Sequence, residues 1–219
     1  MTAAASARSP REYRIAVFAS GSGSNFQALA DAVASGSIPG ARIVLLVADK
    51  PQAAVVGRAE RAGVPVFVFR PRDYASREAY EAEIVARLRE LDVELVALAG
   101  YMRLVTRTLL EPFAGRIINI HPALLPAFPG VDGVRQALEY GVKVTGVTVH
   151  FVDDGLDTGP VILQRAVDVL DGDTEETLAA RIHAVEHELY PEAIRLLSAG
   201  RIELAGRKTR VLPPQESSG

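Results

Sequence analysis

The chain contains no cysteine, which excludes disulfides, thiolate metal sites and a thiol nucleophile,. A reducing, cytoplasmic setting is the expectation that follows. No cationic run is present either: 24 Lys and Arg are scattered against 27 Asp and Glu, for a formal charge of −3. That balance supplies no basic field for nucleic acid. The longest apolar stretches, such as Val93 to Ala99, fall far short of the ~20 residues a membrane span requires,. Residues 1 to 10 lack an apolar segment of signal-peptide length,. Internal repeats and interdomain linkers are also missing.

What remains is an ordinary globular composition, 48% apolar and 23% charged over 219 residues, enough for one sizeable core,. We expect a flexible tail over residues 1–12, a single domain over 13–205 and a partly disordered tail over 206–219, ending in Pro213-Pro214-Gln215-Glu216-Ser217-Ser218-Gly219,. Within the domain, Arg14 to Ala19 reads as a buried strand. A Ser-Gly turn follows it, then a helix from near Asn25,. Ile43–Val47, Val64–Phe69 and Val93–Ala99 repeat the strand pattern. Helical segments intervene at about 52–62 and after Ser76, where Tyr80, Ile84, Leu88 and Leu91 form one stripe,. Continuous apolar strands alternating with helices imply a mostly parallel, Rossmann-like α/β sheet with helices on both faces. Thr145–Phe151 and Val161–Leu163 are too close in sequence for a crossover helix, so an antiparallel extension is expected in the C-terminal half,. A last helix spans about Thr174–Leu197, with Asp173 as its expected N-cap and Glu176 three residues on,.

Three segments carry residues suited to chemistry. Asn119-Ile120-His121-Pro122 ends a strand, and residues two apart share a face, so an amide donor and an imidazole project together,. Such a pair can stabilise an oxyanion and move a proton. A carboxylate from the loop Asp153-Asp154-Gly155-Leu156-Asp157, with Asp157 foremost, would raise the His121 pKa and favour its protonated form,. That loop has the acid count of a calcium site without EF-hand spacing, and its Asp and Gly also suit a plain turn.

The turn Gly21-Ser22-Gly23-Ser24-Asn25 offers backbone amides at a helix N-terminus, a place for phosphate,. It departs from the dinucleotide fingerprint because Phe26 occupies the third glycine position, so a monophosphate suits it better than NAD,. Asp49 mimics a ribose-binding acid in position, but the turn it begins explains it as well. Lastly, His183-Ala184-Val185-Glu186-His187 matches an inverted zinc-peptidase pattern,. Little chain remains downstream to supply a third ligand, and a solvated polar helix face accounts for the same residues.

In this order, these residues resemble the folate-dependent phosphoribosylglycinamide formyltransferases of purine synthesis. The resemblance rests on SGSGSNFQA (Ser20–Ala28), SREAYE (Ser76–Glu81), LAGYMRL (Leu98–Leu104), NIHPALLPAFPG (Asn119–Gly130), HFVDDGLDTGPVI (His150–Ile162) and EHELYP (Glu186–Pro191). It implies a single-domain formyltransferase-like fold and formyl transfer from 10-formyltetrahydrofolate, a co-substrate, to the amine of glycinamide ribonucleotide, without a metal. It further implies Asn119, His121 and Asp157 as the catalytic trio. Gly23, Ser24 and Asn25 would hold the substrate phosphate, with Glu186 and backbone near His183 on the rest of that substrate. Met102, Arg103, Leu104 and Val105 with Asp153, Asp154, Gly155, Leu156 and Asp157 would hold the folate, Asn119 reaching it as well, and Arg77 and Arg103 would lie near its acidic end. Partners are expected to be these two small molecules, with no nucleic acid and no membrane; a homodimer is compatible with the sequence and not required by it.

The chain departs from the resembled pattern at Val131-Asp132-Gly133-Val134-Arg135, where histidines are familiar. Rival expectations are a methionyl-transfer-RNA formyltransferase, whose family adds a C-terminal domain, and a formyltetrahydrofolate hydrolase, whose family adds an N-terminal one. A zinc peptidase and a non-catalytic phosphosugar-binding module complete the set.

Overall fold

A computed structural model describes residues 12–214. The expectation for residues 1–12 therefore falls almost wholly outside the described residues, and that for 206–219 does so over residues 215–219. Seven strands form one sheet in the order β3-β2-β1-β4-β5-β6-β7. β1 (Tyr13–Ala19), β2 (Ala41–Ala48), β3 (Val66–Val68), β4 (Leu95–Leu98) and β5 (Ile117–His121) run parallel. β6 (Val144–Phe151) and β7 (Val161–Asp168) add the expected antiparallel extension.

Side chains alternate along each strand, so one strand feeds two cores. Ile15, Val17 and Ala19 of β1 join a cluster beneath α1 (Ser24–Ala34), α2 (Ala54–Arg61) and α6 (Glu175–Ser198). Ala16 and Phe18 join the other, beneath α3 (Arg77–Glu90). The stripe expected on α3 is there: Tyr80, Ile84 and Leu88 are buried, and Ser76 caps the helix by accepting from the Ala79 amide at 3.2 Å. Tyr190 of α6 is fully buried and donates to the Leu98 carbonyl at 2.8 Å, which ties the longest helix to the centre of the sheet.

Several local expectations are corrected. The N-cap of α6 is Thr174, one residue later than Asp173, and its capping-box partner is Thr177 in place of Glu176. Asp173 is held back by accepting from the Leu170 amide at 2.7 Å and pairing with Arg181 at 2.7 Å. Two short helices escaped the sequence reading, α4 (Arg107–Leu110) and α5 (Gly133–Tyr140), each too brief for a periodic signal. Residues 206–211 are no tail, because β8 (Ile202–Ala205) and β9 (Lys208–Val211) close a hairpin. That hairpin leans on the outermost strand: the Thr209 hydroxyl donates to the Val161 carbonyl at 2.6 Å, and Arg207 donates to the Thr158 carbonyl at 2.9 Å.

Candidate active site

The carboxyl ends of β1, β4 and β5 open on one edge of the sheet, where parallel α/β folds gather ligands,. At the β1 end the backbone turns through Gly23 in the left-handed region, φ 74°. A Cβ there would lie 2.5 Å from Val55 Cγ2, so only glycine lets α2 pack this close to the turn,. α1 starts at Ser24 with no side-chain cap and no acid in its first turn, which leaves its first amides and its dipole open to an anion,. Phe26 is wholly buried in the core, which explains why the dinucleotide fingerprint is broken at that position.

Next to the turn, Asn25 donates to Glu186 Oε2 at 2.9 Å across the α1–α6 contact. Both side chains are buried, and burial raises the Glu186 pKa against the lowering by Asn25 and His183. Glu186 therefore faces the turn that Gly23 makes. His183 is exposed one turn earlier, and its ring stacks on His187 at 6.4 Å between centroids. The zinc pattern is thereby split: its carboxylate serves Asn25, and no group of three His, Asp or Glu side chains suited to a metal occurs among the described residues.

The β5 end brings the expected trio together and adds a fourth member. Asp157 sits in the β6–β7 loop with φ 53°. Its Oδ2 lies 3.5 Å from His121 Nδ1, and its Oδ1 lies 3.6 Å from His150 Nε2. The Gly130 amide donates to Oδ2 at 2.7 Å. His150 is present because β6 pairs antiparallel with β5, placing it directly opposite Asn119,. A sequence signal existed, a histidine seven residues before the key aspartate, but it gains meaning only from that pairing.

Backbone carbonyls fix the two tautomers. His121 Nε2 is 2.7 Å from the Phe128 carbonyl and must carry the hydrogen there, so in the neutral ring Nδ1 turns a lone pair to Asp157,. His150 Nδ1 donates in the same way to the Phe151 carbonyl at 2.8 Å, so its Nε2 accepts from Asn119 Nδ2 at 3.3 Å. One hydrogen of the Asn119 amide is thus anchored and the other is left for a ligand.

The charge states differ from the sequence expectation in one respect. Burial lowers the His121 pKa and outweighs the raising by the Phe128 carbonyl and Asp157, so the resting ring is neutral. Asp157 keeps its charge: burial pushes its pKa up, but the His150 and Gly130 contacts and both imidazoles bring it below the ordinary value.

The loop after β5 is pinned from the sheet. Thr148 donates to the Ala123 carbonyl at 2.7 Å and accepts from the Leu125 amide at 3.0 Å, while Gln164 donates to the Leu125 carbonyl at 2.9 Å. Gly133, in the segment that departs from the resembled pattern, packs on His121, and a Cβ there would sit 3.5 Å from Nε2.

The expected folate residues divide. Met102, Leu104 and Leu156 are exposed apolar side chains on two loops, a surface suited to a flat ring,. Their backbone is tethered: the Met102 amide donates to Ser20 at 2.9 Å, the Leu104 carbonyl accepts from Arg77 at 3.3 Å, and Thr106 beyond the half-buried Val105 donates to the buried Glu81. Arg103 is not a free cation. It pairs at 2.8 Å with Asp49, whose side chain is fully buried, and this overturns the reading of Asp49 as a mere turn residue. Asp153 caps its own loop by accepting from Gly155 and Thr158, and Asp154 meets Arg107 at 3.4 Å.

The profile described as Formyl transferase matches residues 13–194, which covers every residue of this constellation. The chain belongs to the formyl transferase family. Among relatives, the phosphoribosylglycinamide formyltransferase of Bacillus subtilis (strain 168) is 53% identical over 84% of this chain and 94% of its own length. The crystal structure of glycinamide ribonucleotide transformylase 1 from Symbiobacterium toebii superposes with a TM-score of 0.90 at 52% identity, covering 92% of this chain and 95% of that one. A formyltetrahydrofolate deformylase from Pseudomonas syringae is more distant, at 26% identity and a TM-score of 0.85, and this formyl transferase covers 67% of it.

Proposed function

We propose that the protein transfers the formyl group of 10-formyltetrahydrofolate to the primary amine of glycinamide ribonucleotide, in purine biosynthesis and in the cytoplasm. The observation that carries this reading is the joining of an uncapped phosphate turn to an amide, imidazole and carboxylate group on one sheet edge. High identity to two glycinamide ribonucleotide enzymes over nearly their full length supports the choice of acceptor over water.

In the reaction the amine attacks the formyl carbon, an N–C bond forms, and the carbonyl oxygen becomes an oxyanion. The unanchored hydrogen of Asn119 Nδ2 donates to it. The attacking nitrogen must lose a proton and the folate nitrogen must gain one before its C–N bond breaks. Asp157 takes that proton and shares it through Oδ2 with the lone pair of neutral His121 Nδ1 as a charge-assisted hydrogen bond, and the pair returns it to the leaving nitrogen,. Burial keeps the base vacant at rest; Asp157 makes it strong when the proton arrives. No covalent enzyme intermediate is needed.

Purified protein with both substrates is expected to release formylated ribonucleotide and tetrahydrofolate, and to leave the folate formylated when the amine is omitted. Folate deformylation in the amine-free control would select hydrolysis instead. Asn119→Ala is expected to lower kcat by about 10²–10³ while thermal stability is retained, as for loss of an oxyanion donor. Ser24→Asp puts a like charge at the phosphate turn, and the KM for the ribonucleotide is expected to rise at least about tenfold, since unit charges ~4 Å apart near a surface interact by several kcal/mol. The folate KM should stay within about twofold. Equal weakening of both substrates would move the phosphate elsewhere.

A further inference from the structure

One buried acid has no part in the reaction described above. Glu81, on the second turn of α3, is 2% exposed, and among the described residues its carboxylate has no ion-pair partner within 4.0 Å. Its hydrogen bonds come from a single residue of another segment. The Thr106 amide donates to Oε1 at 2.9 Å and to Oε2 at 3.2 Å, and the Thr106 hydroxyl donates to Oε2 at 2.5 Å. The same hydroxyl accepts from the Thr108 amide at 3.2 Å, so Thr106 is also the N-cap of α4. A buried polar pair of this kind adds little stability over an apolar pair of the same shape. What it fixes is a position.

The segment so fixed is the one that carries the exposed Met102 and Leu104. Residues 101–106 belong to neither helix nor strand, so no backbone ladder holds them. Side-chain tethers take its place. Ser20 accepts from the Met102 amide at 2.9 Å, Asp49 pairs with Arg103 at 2.8 Å, and Arg77 donates to the Leu104 carbonyl at 3.3 Å. Arg77 and Glu81 are four apart and share one face of α3, so a single helix holds the carboxyl end of the loop at two points,. Of the two, Arg77 is exposed and Glu81 is buried. α4 has only four residues and cannot place itself, but Leu109 and Phe113 beyond Thr106 are buried in the same core cluster as Tyr80 and Ile84,.

We infer that Glu81 is a positioning residue for the formyl donor. By holding Thr106 it sets where residues 102–105 meet the flat ring of the folate, a surface that binds well only when it is ordered beforehand. This role rests on the folate reading given above. It leaves the ribonucleotide site alone, because the turn at Gly23 is held from α2: the Val55 amide donates to the Gly21 carbonyl at 3.2 Å, and Arg58 donates to the Ser22 carbonyl at 2.8 Å.

Three single variants and one double variant test it. Glu81→Gln keeps the shape but replaces one acceptor oxygen with an NH₂ group, so one of the Thr106 donors faces a donor. Thr106→Val removes the hydroxyl, and Thr106→Ser keeps it. Formyl transfer is measured with each substrate varied in turn, beside thermal melting and calorimetric titration with tetrahydrofolate. Glu81→Gln is expected to raise the folate KM about tenfold, the effect of one buried donor left without its acceptor, with kcat within about threefold and the ribonucleotide KM within about twofold. Thr106→Val should act in the same direction, and Thr106→Ser should behave as wild type. Glu81→Gln/Thr106→Val should fall short of the product of the two single effects, because both remove one shared contact. A folate KM within about twofold of wild type in both Glu81→Gln and Thr106→Val, or both KM values rising together, would assign Glu81 to the fold alone and overturn the proposal. Should Glu81→Gln fail to fold, Thr106→Val against Thr106→Ser carries the same comparison. Absence of turnover in wild type would sink the formyl-transfer reading, and tetrahydrofolate affinity across the same variants would then decide the role of Glu81.

Discussion

Asp157→Asn is expected to lower kcat by about 10²–10⁴ with both KM values changed by less than about threefold, the range for losing one partner of a proton-transfer pair. The substitution keeps the shape of the side chain and can still accept from the Gly130 amide, which donates at 2.7 Å in the native site. What it removes is the charge between two imidazoles, at 3.5 and 3.6 Å. Without that charge a proton arriving on His121 Nδ1 finds no anion, and the ring becomes a weaker base.

The pH profile reports the same change through its sign. In the native site burial holds the His121 pKa below that of a free imidazole, so kcat/KM rises through an acid limb placed below about pH 6.5 and is level from neutral pH upward,. Asp157 is one of the groups that raises that pKa. Its neutralisation must therefore move the limb to still lower pH while reducing the plateau. Steady-state rates of the purified variant between pH 5 and 8, in steps of about half a unit, would show it. A limb that moves to higher pH would mean that the carboxylate acts on another group.

Gly159→Ala should be the most damaging substitution among the loop residues. A Cβ at this position would lie 1.8 Å from the Phe151 carbonyl oxygen, and a backbone atom of the last residue of β6 cannot step aside. Overpacking of this kind costs about 1–3 kcal/mol, and the loop relieves it by moving. Asp157 is two residues away, and displacement of a catalytic group by about 1 Å can cost 10²-fold in rate. The expected result is a folded protein with a lowered melting temperature and at least about 10²-fold lower kcat. Full activity with unchanged stability would show that the loop has slack that its contacts do not reveal.

The parallel half of the sheet was legible because its strands are continuous apolar runs, and Arg14–Ala19 or Ile43–Val47 can hardly be anything but buried strand,. The pairing of Asn119 with His121 on one face was legible for the same reason of period,. What sequence reading missed depends on contacts between distant segments. His150 became a member of the site only through its register with Asn119. The sign of the His121 shift was misjudged because proximity to a carboxylate can be guessed from sequence, whereas the depth of burial that overrides it cannot,. Asp173 and Thr174 are both good caps, and the choice between them fell to Arg181, eight residues on, which holds Asp173,. Asp49 looked like a turn residue because its partner lies in another loop, 54 positions away.

The small hairpin of β8 and β9 divides labour within the chain. The profile match ends at residue 194, before this hairpin, yet the hairpin supplies the contacts of Thr209 and Arg207 to the start of β7 and the loop before it. A last strand with bare backbone groups invites annealing to a neighbouring molecule. The hairpin thus acts as a bumper for the exposed margin of the sheet, and it steadies, through Thr158, the segment next to Asp157.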